Sequence, residues 1–282
     1  GPQSSLLIPL RMVRGLTGTN CQISTVLGTG AVTDAIDDSL TQWHVAVSGR
    51  RLEAVDSPIE ISVREPDGQH ESVRLYPASR NRYRSQLEQL DAPPEQFLCN
   101  RYNKGIAAMA YAVATNGGLV SFRPRELGRH DRIEDSVSLL ASTHHLILSN
   151  RHRVIQQFAR QAGIRAASDW PASIEDLASP SARALAQWLL AQMPQGAVVV
   201  LVRYPGNEAG FYRDGLASTA VPAPEGYGLE SRAARIQGAL LGQAMLKHNA
   251  HELCRDQADW DVQARAVVTA AFRGTESRPW HY

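Results

Sequence analysis

The chain has 282 residues, of which 43% are hydrophobic and 20% are charged. This composition is typical of a folded globular protein and excludes disordered and fibrous classes. The 29 basic and 28 acidic residues leave a net charge of +1, which disfavours a nucleic-acid-binding domain. The longest apolar stretches are far too short to span a bilayer.

The first third of the chain contains a predicted strand, a helix and a hairpin. Gly1-Pro2 resembles the remnant of a protease cleavage, so it is excluded from fold prediction and the native start is left open. The apolar run at 23–27 predicts a buried strand that ends at a glycine turn, and residues 34–43 have helical spacing. Two alternating segments, 59–63 and 73–76, flank a Pro-Asp-Gly turn and predict a β-hairpin.

From residue 106 onwards, predicted helices and strands alternate. The Val/Leu run at 197–202 is typical of a central parallel strand that is buried on both faces. We expect a doubly wound, mostly parallel α/β sheet in a single domain over residues 1–282, with a small β lid at about 45–80. The other predicted elements are helices at 106–115, 173–178, 181–192, 231–248 and 260–272 and strands at 119–122 and 146–148.

The cysteines and histidines give no pattern of a disulfide or metal site. Cys21, Cys99 and Cys254 form an odd, widely spaced set, which disfavours a disulfide framework and a zinc site. Adjacent His144 and His145 would point to opposite faces of a strand, so a shared metal ion is disfavoured too. We expect a reducing, cytoplasmic location and no metal site.

Four stretches of the chain follow the order of motifs found in one group of kinases. They are the strand and glycines at 26–30, the helix, glycines and strand at 112–124, the strand at 145–150, and the strand and ribbon at 197–224. The last of these stretches ends in the sequence Val-Pro-Ala-Pro. Together, over about residues 23–250, the chain resembles the ribokinase-like (PfkB) carbohydrate kinase family. The resemblance implies ligand binding at the carboxyl edge of the sheet and ATP-dependent phosphorylation of a sugar or nucleoside hydroxyl.

The chain departs from this family at the helix that binds the transferred phosphate. In the family this helix begins Gly-Ala-Gly-Asp, where the glycines let backbone N–H groups approach the phosphate and the Asp is the catalytic base. The matching residues here are 230–233, Glu-Ser-Arg-Ala. Ala233 cannot accept a proton, and Glu230 would place a carboxylate near the path of the phosphate.

Two further motifs contain arginine where the family has acidic or polar residues. The Asn-x-x-Glu motif, which organises Mg²⁺ in the family, runs here from Asn150 to Arg153, and a guanidinium repels a metal ion. The Asp-Pro-Asn stretch corresponds to Arg123-Pro124-Arg125. The resemblance therefore implies ATP, if it binds, without magnesium-dependent chemistry.

The resemblance brings these positions to one cleft at the carboxyl edge of the sheet. The guanidinium groups of these arginines could replace Mg²⁺ in a metal-free anion site. Alternatively, they could bind a protein partner at a decayed active site, or they could be ordinary solvated side chains. Asn150 could equally cap the next helix, and the glycines could belong to a hairpin turn. The candidate ligand-binding residues are Asn150, Arg123, Arg125, Arg153, Arg232, Gly206 and Gly210.

Other polar clusters have weaker functional interpretations. The basic run 80–84 interleaves a tyrosine with arginines, but the balanced overall charge favours a solvated loop over a nucleic-acid contact. Asp131, Asp135 and Asp214 are the remaining acids that could serve as a displaced base, although nothing in their spacing indicates that role.

Three hypotheses for function follow. The leading one is a catalytically deficient pseudokinase that binds an anionic small molecule or a protein partner as a regulatory or scaffold subunit. The alternative is an active ATP-dependent small-molecule kinase with displaced catalytic residues, and a third is an unrelated α/β enzyme. A carboxylate at the N-terminus of the helix that starts near Ser231 would favour the active kinase. The hairpin at 59–76 has an edge that we expect to be covered by a homodimer or another partner.

Overall fold

A computed structural model gives the conformation of most of the chain. The described residues are 7–24, 27–48, 51, 53, 59–64, 70–75, 93–100, 102, 104–124, 133–149, 153–164, 177, 179–203, 206–224, 227, 229–246 and 256–273. They form two compact units, one made of residues 1–3 and 19–91 and the other of residues 4–18 and 92–282. A single domain over the whole chain stays a prediction.

The elements up to residue 75 are α1 (Leu7–Thr17), β1 (Cys21–Ser24), α2 (Ala31–Gln42), β2 (Val45–Ser48), β3 (Ile59–Arg64) and β4 (His70–Leu75). In the smaller unit, β1 pairs in parallel with β2, and α2 connects the two strands. Strands β3 and β4 form an antiparallel hairpin in which Ile61 lies opposite Val73. The hairpin confirms the prediction for this part of the chain, whereas its role in self-association stays a prediction.

The remaining elements belong to the larger unit. They are β5 (Gln96–Cys99), α3 (Lys104–Thr115), β6 (Leu119–Phe122), α4 (Ile133–Leu140), β7 (His145–Ser149), α5 (Arg153–Gln161), α6 (Pro180–Leu190), β8 (Val198–Val202), β9 (Glu208–Arg213), β10 (Leu216–Ala217), β11 (Val221–Pro222), α7 (Leu229–Leu246) and α8 (Gln257–Phe272). None of the helices within the described ranges is long and apolar enough to cross a membrane.

The larger unit is built on a seven-stranded sheet in the order β10-β9-β8-β7-β6-β5, with β11 also paired to β9. Strands β5 to β8 are parallel, and β9 runs antiparallel to β8. Helices connect the parallel strands, as in a doubly wound fold. The predicted α/β architecture is therefore confirmed.

Strand β8 shows how the sheet is buried on both faces. Val199 and Leu201 lie in a core with residues of α3, α4, α5 and α6. The alternate residues Val198, Val200 and Val202 lie in a second core with residues of α7 and α8. Because successive side chains of a strand point to opposite faces, a continuous Val/Leu run suits this central position.

Helix α1 lies very close to α7, and two glycines of α7 make this approach possible. A Cβ atom built on Gly238 would lie 2.6 Å from the Pro9 carbonyl oxygen and 2.6 Å from the Met12 Cβ. One built on Gly242 would lie 3.0 Å from a methyl carbon of Leu16. The two helices are therefore in contact through backbone at Gly238.

We expect the buried Cys99 to make the protein less stable in alkali. Burial raises the pKa of the Cys99 thiol, whereas the unfolded thiol ionises above about pH 8.5. Because the pKa is raised in the folded state, the stabilisation is full below about pH 8.5 and is lost as the pH rises, by about 2 kcal/mol at pH 10. Urea unfolding at pH 7.5 and pH 10 should show this loss in the natural chain and a smaller one in Cys99→Val. Equal losses in the two proteins would contradict the expectation.

Candidate functional site

The candidate site lies where the parallel strands of the larger unit end. Strands β6 and β8 are followed by Arg123 and Arg203, and α7 packs against β6, β7 and β8. Arg123, Gly206 and Arg232 are the candidate residues that the structure places around the first half of α7. The carboxyl ends of parallel strands are the usual ligand-binding edge of such a sheet.

Arg123 connects the end of β6 to the interior side of α7. Its side chain is only 3% exposed, and its Nε donates a hydrogen bond of 3.2 Å to Gln237 Oε1. Gln237 Nε2 in turn donates to the carbonyl oxygen of Ser121 at 3.2 Å. These contacts give Arg123 a structural role between strand and helix, while its role in ligand binding stays a prediction.

Arg232 holds the turn between β8 and β9 against α7. It is 4% exposed, and its Nη1 donates to Asn207 Oδ1 at 2.6 Å and also to the carbonyl oxygen of Gly206. The neighbouring Arg203 and Glu208 form an ion pair of 2.7 Å across the same turn. Two of the predicted residues, Arg232 and Gly206, are thus brought together, although sequence spacing alone did not indicate a direct contact.

The two candidate glycines have different reasons for lacking a side chain. Gly206 has a φ of 119°, a backbone conformation that glycine adopts without strain. Gly210 lies inside β9, where a Cβ would be 3.0 Å from the Tyr212 Oη and 3.2 Å from the Leu177 Cβ. Packing therefore explains Gly210, and nucleotide binding by either glycine stays a prediction.

The beginning of α7 is where the resemblance predicts the helix that binds the transferred phosphate. Helix α7 starts at Leu229, so Glu230 is its second residue. Ala233, where the resemblance predicts the base, is 3% exposed and belongs to the core that α7 forms with the sheet. Residues three apart lie on the same face of a helix, so position 230 is one turn ahead of Ala233 on that face.

The remaining candidates are placed only in part. Asn150 and Arg125 lie outside the described residues, as does the basic run at 80–84. Arg153 is the first residue of α5, and its side chain lies outside the described part. Asp214 occupies the turn after β9, where its Oδ2 accepts a hydrogen bond from the backbone N–H of Gly196.

Asp214 lies at the edge of the sheet opposite to the candidate site. In the pairing of β8 with β9, Tyr212 lies opposite Val199, near the beginning of β8, whereas Ala209 lies opposite Val202 at its end. Asp214 follows Tyr212 and is therefore at the amino edge, far along the sheet from the beginning of α7. This position does not suit a displaced catalytic base.

The described residues of the larger unit do not group potential metal ligands into a site. Within the described ranges, no three His, Cys, Asp or Glu residues are grouped so that they could hold a metal ion. His144 Nδ1 accepts a hydrogen bond of 3.2 Å from the backbone N–H of Val120. This contact links the beginning of β7 to β6 and accounts for one nitrogen of the histidine.

Sequence reasoning missed two buried polar residues of α7, Arg235 and Gln237. Arg235 is 7% exposed; its Nη1 donates to the Ala271 carbonyl oxygen at 3.5 Å, and its guanidinium lies 4.9 Å from the centre of the Tyr227 ring. The Ala271 carbonyl belongs to the last turn of α8, which attracts cations. Burial, and then the charge of Arg235, lower the pKa of Arg11. The small and apolar residues around these positions are the sequence signal of a helix that is buried on most sides.

Comparison with known proteins shows the fold. No family profile and no curated protein matches the sequence. Among solved structures, fructokinase from Xylella fastidiosa matches with a TM-score of 0.64 and 15% identity over 95% of this chain and 82% of that chain. Adenosine kinase from Schistosoma mansoni matches with a TM-score of 0.65 and 10% identity over 95% and 77%.

A nucleoside kinase from Methanocaldococcus jannaschii, described as an archaeal member of the ribokinase family, matches with a TM-score of 0.63 and 12% identity over 96% and 79%. The protein therefore has the ribokinase-like fold. At these identities the likeness establishes the fold alone, and the activity has to be argued from the site.

Proposed function

We propose that the protein is an ATP-dependent phosphotransferase that acts on the hydroxyl group of a sugar or nucleoside. The solved structures that it resembles are a fructokinase, an adenosine kinase and a nucleoside kinase, each matched over at least 95% of this chain. This proposal departs from the leading sequence-based hypothesis of a pseudokinase, and the position of Glu230 is the reason.

The observation that carries the proposal is that Glu230 is the second residue of α7. A kinase of this kind needs a carboxylate at the beginning of that helix, because a base must accept the proton of the attacking hydroxyl. The resemblance implies that position 230 lies near the path of the phosphate. A carboxylate is unfavourable there as part of an anion hole, but such a position is what a general base requires. Since position 230 lies one turn ahead of Ala233 on the same face, we assign the role of base to Glu230.

The proposed reaction transfers the γ-phosphoryl group directly from ATP to the substrate hydroxyl. The substrate hydroxyl oxygen bonds to the γ-phosphorus of ATP as the bond from that phosphorus to the β-phosphate oxygen breaks, and ADP leaves. Glu230 takes the hydroxyl proton. Backbone N–H groups of the first turn of α7, which have no helical partners, can donate hydrogen bonds to phosphoryl oxygens.

The part of the chain that the structure describes offers no ready site for Mg²⁺. The described part contains no grouped set of metal-binding side chains, and Arg153 stands where the family has Glu. In kinases Mg²⁺ is held largely by the substrate phosphates and water, so we expect it to arrive as the ATP complex. No step above is assigned to a protein-bound metal.

A second candidate function is the pseudokinase of the sequence analysis, acting as a regulatory or scaffold subunit. The buried Ala233 favours it, and so do the hydrogen bonds that occupy Arg232 with Gly206 and Asn207. In this case the site would bind an anionic molecule such as ATP without catalysis. A cytoplasmic location, proposed for both candidates, rests on the sparse cysteines.

Two measurements on the full chain decide between these candidates. ATP is titrated into the protein by calorimetry, first with Mg²⁺ and then with EDTA, and ADP release is followed with a panel of sugars and nucleosides. ATP binding that requires Mg²⁺, together with substrate-dependent ADP release, is expected for the kinase. Binding that survives EDTA with no ADP release would indicate the pseudokinase, and no binding in either buffer would indicate a scaffold.

A further inference from the structure

A pocket lies beside the edge strand β10, away from the candidate site. Its volume is about 330 Å³, at the lower end of the range for small-molecule sites. In the sheet, Ala217 lies opposite Tyr212, and Tyr212 lies opposite Val199 near the beginning of β8. The pocket is therefore at the amino edge, whereas the Gly206-Asn207 turn follows the carboxyl end of β8.

The walls of the pocket come from two helices on opposite faces of the sheet. Helix α6 contributes to the core on one face and α8 to the core on the other. Residues of both helices line the pocket. Gln257 Nε2 donates to the Ala217 carbonyl oxygen at 2.8 Å, so α8 also caps the exposed backbone of the edge strand.

Each wall carries one charged side chain and one amide. Arg183 and Gln187, four residues apart on α6, line one side, and Gln257 and Asp261, four residues apart on α8, line the other. Side chains four residues apart on a helix are neighbours. The pocket therefore presents a guanidinium and a carboxylate from different elements.

The Asp261 carboxylate and the Arg183 guanidinium can both form further hydrogen bonds with a ligand. Asp261 Oδ1 accepts hydrogen bonds from the backbone N–H of Thr219 at 2.8 Å and from its hydroxyl at 3.4 Å. Within the part of the chain that the structure describes, Asp261 Oδ2 and the Arg183 guanidinium make no hydrogen bond or ion pair. Hydrogen bonds that involve charged groups are stronger than neutral ones, so both groups can contribute to binding.

The pocket also has apolar lining residues. They are Leu190, Leu216 and Ala186, together with the buried Tyr212. The Tyr212 hydroxyl is used internally, because it donates to the Leu177 carbonyl oxygen. A matching ligand is small and has a negative group, a positive group and an apolar side chain.

We propose that this pocket binds a free α-amino acid with an apolar side chain. Its carboxylate pairs with Arg183, its ammonium group pairs with Asp261, and its side chain lies against Leu190 and Leu216. A planar guanidinium fork matches a carboxylate in bidentate geometry. The site is separate from the proposed phosphotransfer, so either proposal can fail without the other.

The test is a calorimetric titration of L-leucine, L-valine and L-methionine into the full chain and into Arg183→Gln and Asp261→Asn. Each substitution replaces a charged group by a neutral amide. Glutamine is shorter than arginine, whereas asparagine has nearly the size of aspartate and its amide oxygen can still accept the bond from Thr219. We expect saturable binding in the natural chain and a loss of affinity of about ten- to a hundredfold in each variant. Arg265→Gln, on an exposed part of α8 outside the pocket, should bind as the natural chain does.

Two leucine derivatives assign each charge to its partner. L-Leucinamide lacks the carboxylate, so it should bind more weakly than leucine, and Arg183→Gln should weaken it no further. N-acetyl-L-leucine lacks the ammonium group and should be insensitive to Asp261→Asn. Absence of saturable binding by all three amino acids, or leucine binding that both variants retain, would overturn the proposal.

Discussion

Glu230→Gln should lower kcat for ATP-dependent phosphorylation by about 10²–10⁴-fold, the usual contribution of general acid–base catalysis. The amide has nearly the same shape as the carboxylate but cannot take the hydroxyl proton. Because the base acts in the transition state, kcat should fall while KM changes little. The measurement is the steady-state rate of ADP release with the best substrate from the panel.

Asp214→Asn is the matched control for this variant. It also replaces one carboxylate by an amide, but at the amino edge of the sheet, where the new side chain can still accept the bond from Gly196. We expect the control to keep the natural kcat. A Glu230→Gln protein with undiminished kcat would refute the assignment of the base, and slow turnover in the control would show that Asp214 has a role that its position does not suggest.

The architecture could be predicted where local sequence patterns decide it. The continuous Val/Leu run of β8 and the alternation of β3 and β4 about a Pro-Asp-Gly turn both gave the right element at nearly the right residues. Similarly, α3 ends at Thr115 just before Gly117, whose φ of 77° is the left-handed conformation that often follows a helix. These signals depend on neighbouring residues only.

Helix α1 could not be predicted in this way. Pro9 and Gly15 both have low helix propensity, and a helix of 11 residues is marginal without tertiary contacts. Pro9 is tolerated because it lies in the first turn, where its missing N–H has no helical partner. The contacts with α7 that stabilise this helix involve residues more than 200 positions away, which no local pattern indicates.

The candidate site, too, could be predicted only in part, because some of its contacts depend on distant segments of the chain. The resemblance predicted that Arg123, Arg125, Arg153 and Arg232 approach one cleft at the carboxyl edge of the sheet, and ligand binding there stays a prediction. In the structure Arg232 and Arg123 are buried and donate to Asn207 and Gln237. Such partners are fixed by packing between distant segments, since buried polar groups require hydrogen bonds. The sequence can therefore indicate which residues lie at the same edge of the sheet, but not which of them form hydrogen bonds with one another.

Gly238→Leu should lower the free energy of unfolding by about 3 kcal/mol. Even a single Cβ at this position would lie 2.6 Å from the Pro9 carbonyl oxygen, and backbone cannot rotate away as a flexible side chain can. The larger side chain would therefore force α1 away from α7 and expose apolar surface of both helices. Such a loss is a large part of the roughly 5–15 kcal/mol of a typical domain. Urea unfolding of the two proteins measures it.

Gly15→Ala provides the comparison within the same helix pair. Gly15 is an exposed residue of α1, and a Cβ there would meet no atom within 4 Å. Alanine should therefore stabilise the protein by about 0.5–1 kcal/mol, because it has the higher helix propensity. If the free energy of unfolding falls in Gly238→Leu and rises in Gly15→Ala, close backbone packing at Gly238 is the cause of the destabilisation. If Gly238→Leu is instead as stable as the natural chain, α1 does not pack against α7 in solution, and the side of α7 that carries Gly238 and Gly242 must be covered in another way.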